Sequence, residues 1–183
     1  TNPDLDIEVI KGKGWGTGGD LRHALDQIIS IDRLEEDFLV CYADYVITRK
    51  LANGEISPQL NLSQIIEYHQ NCKKALDTAI TMAFVILERE KATRFGVGQL
   101  EEVGGFKVVR GFIEKPNLKD IAENPPINAG IYVFEPEILD LIPPDRFYDF
   151  GKELFPKLIT DGAPIYGYQM IEYWSDVGNL KTY

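Results

Sequence analysis

The sequence is short of the residues on which several kinds of protein depend. Its 183 residues include two cysteines, two histidines and 19 basic side chains against 29 acidic ones, so the formal net charge is −10. Without a surplus of lysine and arginine, no basic stripe is available to release counterions from a nucleic-acid backbone. The sequence also lacks a signal peptide and an apolar run of 18 residues, so we expect neither secretion nor membrane insertion.

The scarce cysteines and histidines indicate neither a disulfide framework nor a metal centre built on them. Cys41 and Cys72 form no Cys-x-x-Cys pair, and each sits in or near an apolar run typical of a buried free thiol. This usage fits a reducing compartment, so the expected location is the cytoplasm. His23 and His69 have no metal-ligating partner at suitable spacing, and we expect both at solvated or helix-capping positions.

The residues that are present describe one ordinary globular domain, with 44% hydrophobic and 26% charged residues. It is organised around residues 107–134, where two runs rich in β-branched and aromatic residues predict strands. The first run, Lys107-Val-Val-Arg-Gly-Phe-Ile-Glu-Lys-Pro116, ends on the charged pair Glu114 and Lys115, and the second is Asn128-Ala-Gly-Ile-Tyr-Val-Phe134. Such a pair at the mouth of a sheet can accept from sugar hydroxyls and hold a phosphate. An equally good interpretation is that Glu114 and Lys115 are an ordinary surface pair at the end of a strand, with no role in binding.

A glycine-rich segment lies near the start of the chain. Five glycines fall within Lys11-Gly-Lys-Gly-Trp-Gly-Thr-Gly-Gly19, which leaves the backbone free to approach a ligand closely. Leu21, Leu25 and Ile28 then recur at helical spacing and predict a helix. A loop of this kind before a helix offers unpaired N–H groups to an anion or a base edge. It matches neither a Walker A loop nor Gly-x-Gly-x-x-Gly, and a plain tight turn explains it equally well.

Two aspartates follow apolar segments that are far apart in the sequence. The run Asp37-Phe-Leu-Val-Cys-Tyr42 predicts a buried parallel strand, and Asp44 comes directly after it. The run Glu172-Tyr-Trp-Ser-Asp-Val-Gly178 predicts a second strand and contains Asp176. Carboxylates at the carboxyl ends of strands lie where open α/β sheets bind their ligands. A helix cap or a turn cap is the alternative for each of them.

Taken in order, these motifs resemble the sugar-1-phosphate nucleotidylyltransferases, also called nucleotide-sugar pyrophosphorylases. Phe112-Ile-Glu-Lys-Pro116 and Ile127-Asn-Ala-Gly-Ile-Tyr-Val-Phe-Glu-Pro136 look like the sugar-binding half of that family. Gly16 to Leu21 is similar to the family's Gly-Thr-Ala-Gly-x-Leu, and Arg94 to Val97 to its Arg-Tyr/Phe-Gly-Val. Residues 173–178 resemble Tyr/Phe-Trp-x-Asp-x-Gly. The sequence Ile127-Asn-Ala-Gly-Ile-Tyr132 most resembles that of mannose-1-phosphate guanylyltransferases, and glucose-1-phosphate enzymes share much of it.

The resemblance implies an activity and a set of catalytic residues. The reaction would transfer a nucleotidyl group from a nucleoside triphosphate to a sugar 1-phosphate and release pyrophosphate. Asp44 and Asp176 would be catalytic as the ligands of Mg²⁺, and Lys115 would neutralise the sugar phosphate. Ala43 replaces the glycine that the family has before its first aspartate, so the backbone there would approach the nucleotide less freely.

The substrate-binding residues that the resemblance implies are Gly16, Gly96, Glu114, Asn128 and Gly130. Gly16 would lie against the nucleobase and Gly96 beside the sugar, while Glu114 and Asn128 would bind the sugar hydroxyls. A nucleoside triphosphate and a sugar 1-phosphate are therefore the expected partners. The oligomeric state, including a homo-oligomer, stays open.

The implied fold is α/β, a Rossmann-like three-layer sandwich with a mixed, mostly parallel central sheet, of the nucleotide-diphospho-sugar transferase type. Residues 1–183 would form a single domain of this type. The family's N-terminal Gly-Gly-x-Gly-Thr-Arg loop, which grips the triphosphate, is not found in the sequence. We therefore expect an N-terminally incomplete domain and a chain that is a poor catalyst by itself.

Two other functions compete with this interpretation. A non-catalytic regulatory or sugar-nucleotide-sensing relative could keep the fold, although such a protein has no need of both aspartates. A nucleotide-sugar-dependent glycosyltransferase could use a similar sheet, but that class usually shows Asp-x-Asp at its metal strand. The sequence has Ala43-Asp44-Tyr45 there.

Overall fold

The computed structural model describes residues 7–28, 34–50, 54–57, 62–76 and 78–177. In these ranges it has two β-sheets, four α-helices and short 3₁₀ helices at Leu118–Asp120 and Pro136–Leu141. The helices are α1 (Gly16–Ile28), α2 (Leu62–Ala75), α3 (Arg89–Ala92) and α4 (Phe155–Thr160). The strands are β1 (Phe38–Cys41), β2 (Tyr45–Lys50), β3 (Ile56–Ser57), β4 (Ile80–Ile86), β5 (Gly96–Val103), β6 (Phe106–Glu114), β7 (Pro126–Phe134), β8 (Ile165–Gln169) and β9 (Tyr173–Asp176). A π-helical turn, Phe150–Leu154, leads directly into α4.

The central sheet has six strands in the order β1-β7-β4-β8-β6-β5, and its two faces are both covered. Along β4, Met82 and Phe84 belong to the core that α1, the π-helical turn and α4 complete. Ala83 and Val85 alternate with them and belong to a second core, to which α2 and β9 contribute. This alternation of buried residues is the period of two that a strand covered on both sides requires. The expected three-layer α/β arrangement with a mixed sheet is therefore confirmed.

The direction of the strands corrects one part of the expected fold. Among the described strands only β4 and β8 pair in parallel, and the other pairings of the central sheet are antiparallel. The expectation of a mostly parallel sheet is wrong for these strands. The predicted buried parallel strand after Asp37 is β1, which pairs antiparallel with β7 at one edge of the sheet and is only half-buried.

A tight turn explains why β5 and β6 are antiparallel. Gly104 and Gly105 join them and have φ angles of 60° and 86°. Positive φ at both central positions is what a two-residue hairpin turn of type I′ needs, and glycine adopts it without steric cost. A pair of glycines between two strand-like runs predicts a hairpin from the sequence, and the pairing of β5 with β6 confirms it. It leads into β6 and then β7, the two strands predicted within residues 107–134.

Helix α1 begins at Gly16, inside the glycine-rich segment and ahead of the helical spacing that starts at Leu21. The N–H groups of Gly18 and Gly19 both donate to the carbonyl oxygen of Tyr148, at 2.9 and 3.0 Å. A Cβ at Gly19 would lie 2.4 Å from the Arg146 carbonyl oxygen, so glycine permits this close contact. These two N–H groups, which the sequence suggested for a ligand, are therefore used to hold the first turn of α1 on a neighbouring segment.

The expectations for His69 and for one cysteine are wrong. His69 is fully buried; its Nδ1 lies 2.9 Å from the Thr81 hydroxyl and its Nε2 lies 3.4 Å from an Asp37 carboxylate oxygen. It joins α2 to β4 and to the start of β1, contacts that the spacing along one helix does not reveal. Both cysteines are free, and Cys72 is buried as expected, whereas Cys41, at the end of the edge strand, is exposed. In the parts of the chain that the structure covers, no helix is long and apolar enough to cross a membrane.

Candidate active site

A cavity of about 430 Å³ brings together residues from both sheets. The short sheet of β3, β2 and β9 supplies one wall, and β5, β6 and β7 of the central sheet supply another. Seven of the eight residues that the sequence singled out line it: Asp44, Gly96, Glu114, Lys115, Asn128, Gly130 and Asp176. The eighth, Gly16, does not line the cavity, although its neighbour Thr17 does. A Cβ at Gly16 would meet the Tyr148 carbonyl oxygen at 2.9 Å.

The two aspartates are neighbours across one pair of strands. Tyr45 is directly opposite Asp176 in the antiparallel pairing of β2 with β9. The carbonyl oxygen of Asp44 accepts from the backbone N–H of Val177 at 2.9 Å. Asp44 is exposed, whereas the side chain of Asp176 is only 16% exposed. The pairing of these strands therefore places two carboxylates that are 132 positions apart in the sequence at one end of the cavity.

Lys115 has an unusual backbone conformation at the end of β6. Its φ angle is 50°, in the left-handed region, which costs a residue other than glycine roughly 1–2 kcal/mol. The backbone N–H of Lys115 donates to the Phe95 carbonyl oxygen at 3.0 Å and helps to hold this conformation. Its ammonium group, on a side chain that is 65% exposed, lies 3.9 Å from a carboxylate oxygen of Glu114. This contact is too long for a hydrogen bond, so the lysine is loosely paired.

The carboxylate of Glu114 points into the wall of the cavity. A Cβ at Gly151 would lie 2.8 Å from Glu114 Oε2, and a Cβ at Gly96 would lie 2.9 Å from the same atom. Glycine at both positions therefore makes room for the carboxylate. Burial raises the pKa of Glu114 above its usual value, nearby Asp149 adds to this shift, and Lys115 opposes it. The sequence allowed Glu114 and Lys115 to be an ordinary surface pair that closes a strand. In the structure Lys115 is exposed, but Glu114 is partly buried.

Asn128 holds the neighbouring wall in place. Its amide group donates to the Tyr132 hydroxyl at 2.6 Å, and its oxygen accepts from the backbone N–H of Gly130 at 3.1 Å. Gly130 has a φ of 75°, and a Cβ there would lie 2.7 Å from the ring of Tyr42. An asparagine side chain can form about four hydrogen bonds, so Asn128 keeps bonding positions beyond the two contacts that fix it.

Sequence reasoning missed several residues that also line the cavity. Asp149 accepts from the backbone N–H of Lys152 at 3.0 Å and from the Thr17 hydroxyl at 3.4 Å. The Thr17 hydroxyl in turn accepts from the Phe150 N–H at 2.8 Å, which ties α1 to the π-helical turn. Aspartate is a residue type that commonly caps helices, so the sequence predicts Asp149 as a cap, and the structure confirms this role at the start of the π-helical turn. Its place in the cavity had no sequence signal, because it depends on contacts across more than 130 residues.

Arg94 stands at the same end of the cavity as the aspartates. Its Nη2 lies 2.6 Å from Asp176 Oδ2, and its guanidinium lies over the Phe95 ring at 5.5 Å from the centroid. Phe95 packs edge-on against Trp174, whose indole N–H donates to the Ala129 carbonyl oxygen at 3.2 Å. Trp174 is buried. The site thus contains several carboxylates, two cations and an aromatic support.

Comparison with known proteins identifies the family of this chain. The family model described as "Nucleotidyl transferase" matches residues 31–183. The match covers well over half of the chain, so the chain belongs to that family. The resemblance drawn from the motifs is confirmed at the level of the family.

Three curated relatives show the range of named activities within it. A UTP–glucose-1-phosphate uridylyltransferase from Synechocystis sp. is 36% identical over 130 residues, which are 71% of this chain and 31% of that protein. A mannose-1-phosphate guanylyltransferase from Mycobacterium tuberculosis is 34% identical over 140 residues, 74% of this chain and 35% of that protein. A glucose-1-phosphate adenylyltransferase from Desulfitobacterium hafniense is 31% identical over 154 residues, with coverages of 80% and 35%. The chain therefore spans about a third of the length of these relatives.

Solved structures share the fold at low sequence identity. UDP-glucose pyrophosphorylase in complex with UDP-glucose superposes with a TM-score of 0.68 at 20% identity, over 91% of this chain and 58% of that one. HddC from Yersinia pseudotuberculosis, complexed with GMP-PN, gives a TM-score of 0.59 at 19% identity, over 95% and 62% of the two chains. At these identities the similarity identifies the fold alone. What this chain binds has to be argued from its own residues.

Proposed function

We propose that this chain forms the sugar-phosphate side of a sugar-1-phosphate nucleotidylyltransferase active site. The observation that carries the proposal is the cavity of about 430 Å³. In it Asp44, just before β2, and Asp176, at the end of β9, meet Glu114 and Lys115 at the end of β6. Membership of the nucleotidyl transferase family supports the same chemistry. The reaction would join a nucleoside triphosphate to a sugar 1-phosphate and release pyrophosphate.

The two aspartates fit a magnesium ion. Magnesium prefers oxygen ligands from one or two carboxylates together with substrate phosphates. Asp44 and Asp176, which the pairing of β2 with β9 brings together, would act as such a pair of carboxylates. Across the described ranges no larger group of His, Cys, Asp or Glu side chains could hold a metal ion. Asp176 is already paired with the guanidinium of Arg94, so a metal ion would have to compete with that cation. When bound there, Mg²⁺ would neutralise charge on the phosphates of the nucleotide.

The other site residues would bind and orient the sugar phosphate. Lys115, with its ammonium group exposed to the cavity, would neutralise the sugar phosphate and direct its oxygen toward the α-phosphorus. Glu114 would accept from sugar hydroxyls, and Gly96 leaves room beside it. Gly130 would present its backbone to the sugar, and Asn128 would use its free bonding positions. For Gly16 we keep the proposed contact with the nucleobase, next to Thr17 on the cavity wall.

The enzyme as a whole extends this proposal. Residues 1–183 would act as one domain, and the triphosphate would also need groups from elsewhere in a larger catalytic unit, because the chain spans only about a third of its curated relatives. We propose a cytoplasmic location, consistent with free cysteines. The sugar and the base would be among those named for the relatives, and the ligand panel below distinguishes them. A homo-oligomer is a further proposal to be tested.

A binding and turnover panel on the intact protein tests the function. UDP-glucose, ADP-glucose, GDP-mannose and dTDP-glucose are each added with and without Mg²⁺, and the melting temperature is measured. A ligand at 100 times its Kd should stabilise the protein by about 2.7 kcal/mol. We expect a magnesium-dependent shift with one sugar nucleotide, which Asp44→Asn and Asp176→Asn abolish and the exposed control Asp140→Asn keeps.

Turnover separates an enzyme from a sensor. Adding pyrophosphate to the bound sugar nucleotide should release a nucleoside triphosphate, and Lys115→Gln should slow that release by about 100-fold or more, the usual effect of losing one charge-stabilising group. Binding without any release would favour the regulatory alternative. Failure of every sugar nucleotide to bind would reject the proposal.

A further inference from the structure

The ion pair between Arg94 and Asp176 lies where the proposed metal site would form. The 2.6 Å contact joins a guanidinium that is 46% exposed to a carboxylate that is 16% exposed. Partial burial of the carboxylate lowers the effective dielectric around the pair and strengthens it relative to a fully exposed pair. Asp176 is therefore already neutralised by a protein cation.

The balance of charged side chains around the cavity determines what this ion pair can do. Among the described residues, the charged side chains that line it are four carboxylates and two cations: Asp44, Glu114, Asp149, Asp176, Arg94 and Lys115. With Arg94 paired to Asp176, Lys115 is the cation among these six that has no close ion-pair partner, since its ammonium group lies 3.9 Å from Glu114. A divalent cation at the aspartates would reverse this balance, because it would neutralise both carboxylates and repel the guanidinium.

We propose that Arg94 is the resident counter-ion of Asp176, that it competes with the divalent cation for this carboxylate, and that once displaced it binds a substrate phosphate. The inference rests on the proposed function of the same cavity. Two features make the exchange feasible. The side chain of Arg94 is nearly half exposed, so it can turn without disrupting a core. The Phe95 ring, 5.5 Å below the guanidinium, supports the cation after it leaves the carboxylate.

Arginine suits this exchange better than lysine would. Its planar guanidinium presents several N–H donors in a fixed arrangement that matches a carboxylate and a phosphate equally well. The same side chain can therefore pass from Asp176 to a phosphate oxygen with a small rotation. This would couple the arrival of the metal ion to the provision of a second cation for the anionic substrates.

Manganese binding to the intact protein tests the first part of the inference. Free Mn²⁺ is followed by electron paramagnetic resonance during titration of the wild type, Arg94→Gln, Arg94→Lys and Arg110→Gln. Arg110 is the matched control, because its Nε also lies 2.6 Å from a carboxylate, that of Glu101, on an exposed surface outside the cavity. The control removes the same charge and the same kind of pair, so it corrects for the change in net charge.

We expect Arg94→Gln to tighten Mn²⁺ binding by about two- to fivefold at low salt, the range given by an ion pair of this exposure. Arg94→Lys should give a smaller change, because it keeps the charge, and added salt should reduce the effect. An effect no larger than that of Arg110→Gln would overturn the inference while leaving the metal site intact. If wild-type protein and Asp176→Asn bind Mn²⁺ equally, or neither binds it, the proposed metal assignment fails as well.

Binding of inorganic pyrophosphate in saturating Mn²⁺ tests the phosphate role. Isothermal titration calorimetry should show weaker pyrophosphate binding to Arg94→Gln than to Arg110→Gln, by several-fold. Equal affinities for the two variants would refute the transfer of Arg94 to a phosphate.

Discussion

Replacing Asn128 with alanine should destabilise the folded protein, because the asparagine forms a bridge inside the cavity wall. Its amide group reaches the hydroxyl of Tyr132, a side chain with no exposed surface, and its oxygen accepts from the N–H of Gly130. Alanine can make neither bond. The turn at Gly130, with its positive φ, would lose the contact that closes it.

The size of the loss follows from the two bonds. The Tyr132 hydroxyl keeps a hydrogen bond with Tyr42, so losing the amide costs only the net value of one bond, about 1 kcal/mol. The Gly130 N–H lies in a buried position and would be left without its acceptor, which costs about 1–3 kcal/mol. We therefore expect Asn128→Ala to lower the free energy of unfolding by about 2–4 kcal/mol.

Urea denaturation at neutral pH, followed by circular dichroism, measures this difference. The control is Asn117→Ala, since the Asn117 amide donates to the Asp120 carboxylate at 3.1 Å on the exposed surface. Loss of that bond should change the free energy of unfolding by no more than about 0.5 kcal/mol. If Asn128→Ala costs as little as the control, the bridge does not support the wall, and Asn128 would serve ligand binding alone.

Two further predictions concern packing and pH. Gly96→Ala would place a Cβ 2.1 Å from the Phe112 ring, so it should lower the free energy of unfolding by about 1–3 kcal/mol, as measured by urea denaturation. Gly111→Ala is the control and should cost less, because the atoms nearest to its Cβ belong to the flexible Gln99 side chain. An equal loss of stability in the two variants would contradict this account of the packing. Burial lowers the pKa of His69, so the unfolded chain binds a proton that the folded chain excludes, and stability should fall as the pH drops below about 6.5. His69→Gln should flatten this dependence between pH 5.5 and 7.5, and an unchanged slope would show that another group causes it.

Local signals in the sequence were sufficient for much of the fold. The paired glycines at 104 and 105 specify the hairpin because only a few residue types tolerate positive φ at both positions. Strands β6 and β7 could be predicted for a similar reason, since runs of β-branched and aromatic residues bounded by glycine and proline rarely form anything but strands. Asp149 as a cap was equally local.

Long-range partners decided what could not be predicted. The six-residue run from Asp37 is apolar whether its neighbour runs parallel or antiparallel, so the sequence could not reveal that β1 is an edge strand. The burial of His69 depends on Thr81 and Asp37, which lie on other elements. For the site, the motifs found seven of the cavity residues, while Thr17 and Asp149 come together only in the folded chain.

The division of the cavity between two sheets has a mechanical consequence. Asp44 and Asp176 are connected through the hydrogen-bonded pair of β2 and β9. Glu114 and Asn128 belong to the central sheet. A tilt of the small sheet relative to the central sheet would therefore keep the spacing between the two aspartates while changing their distance from Glu114.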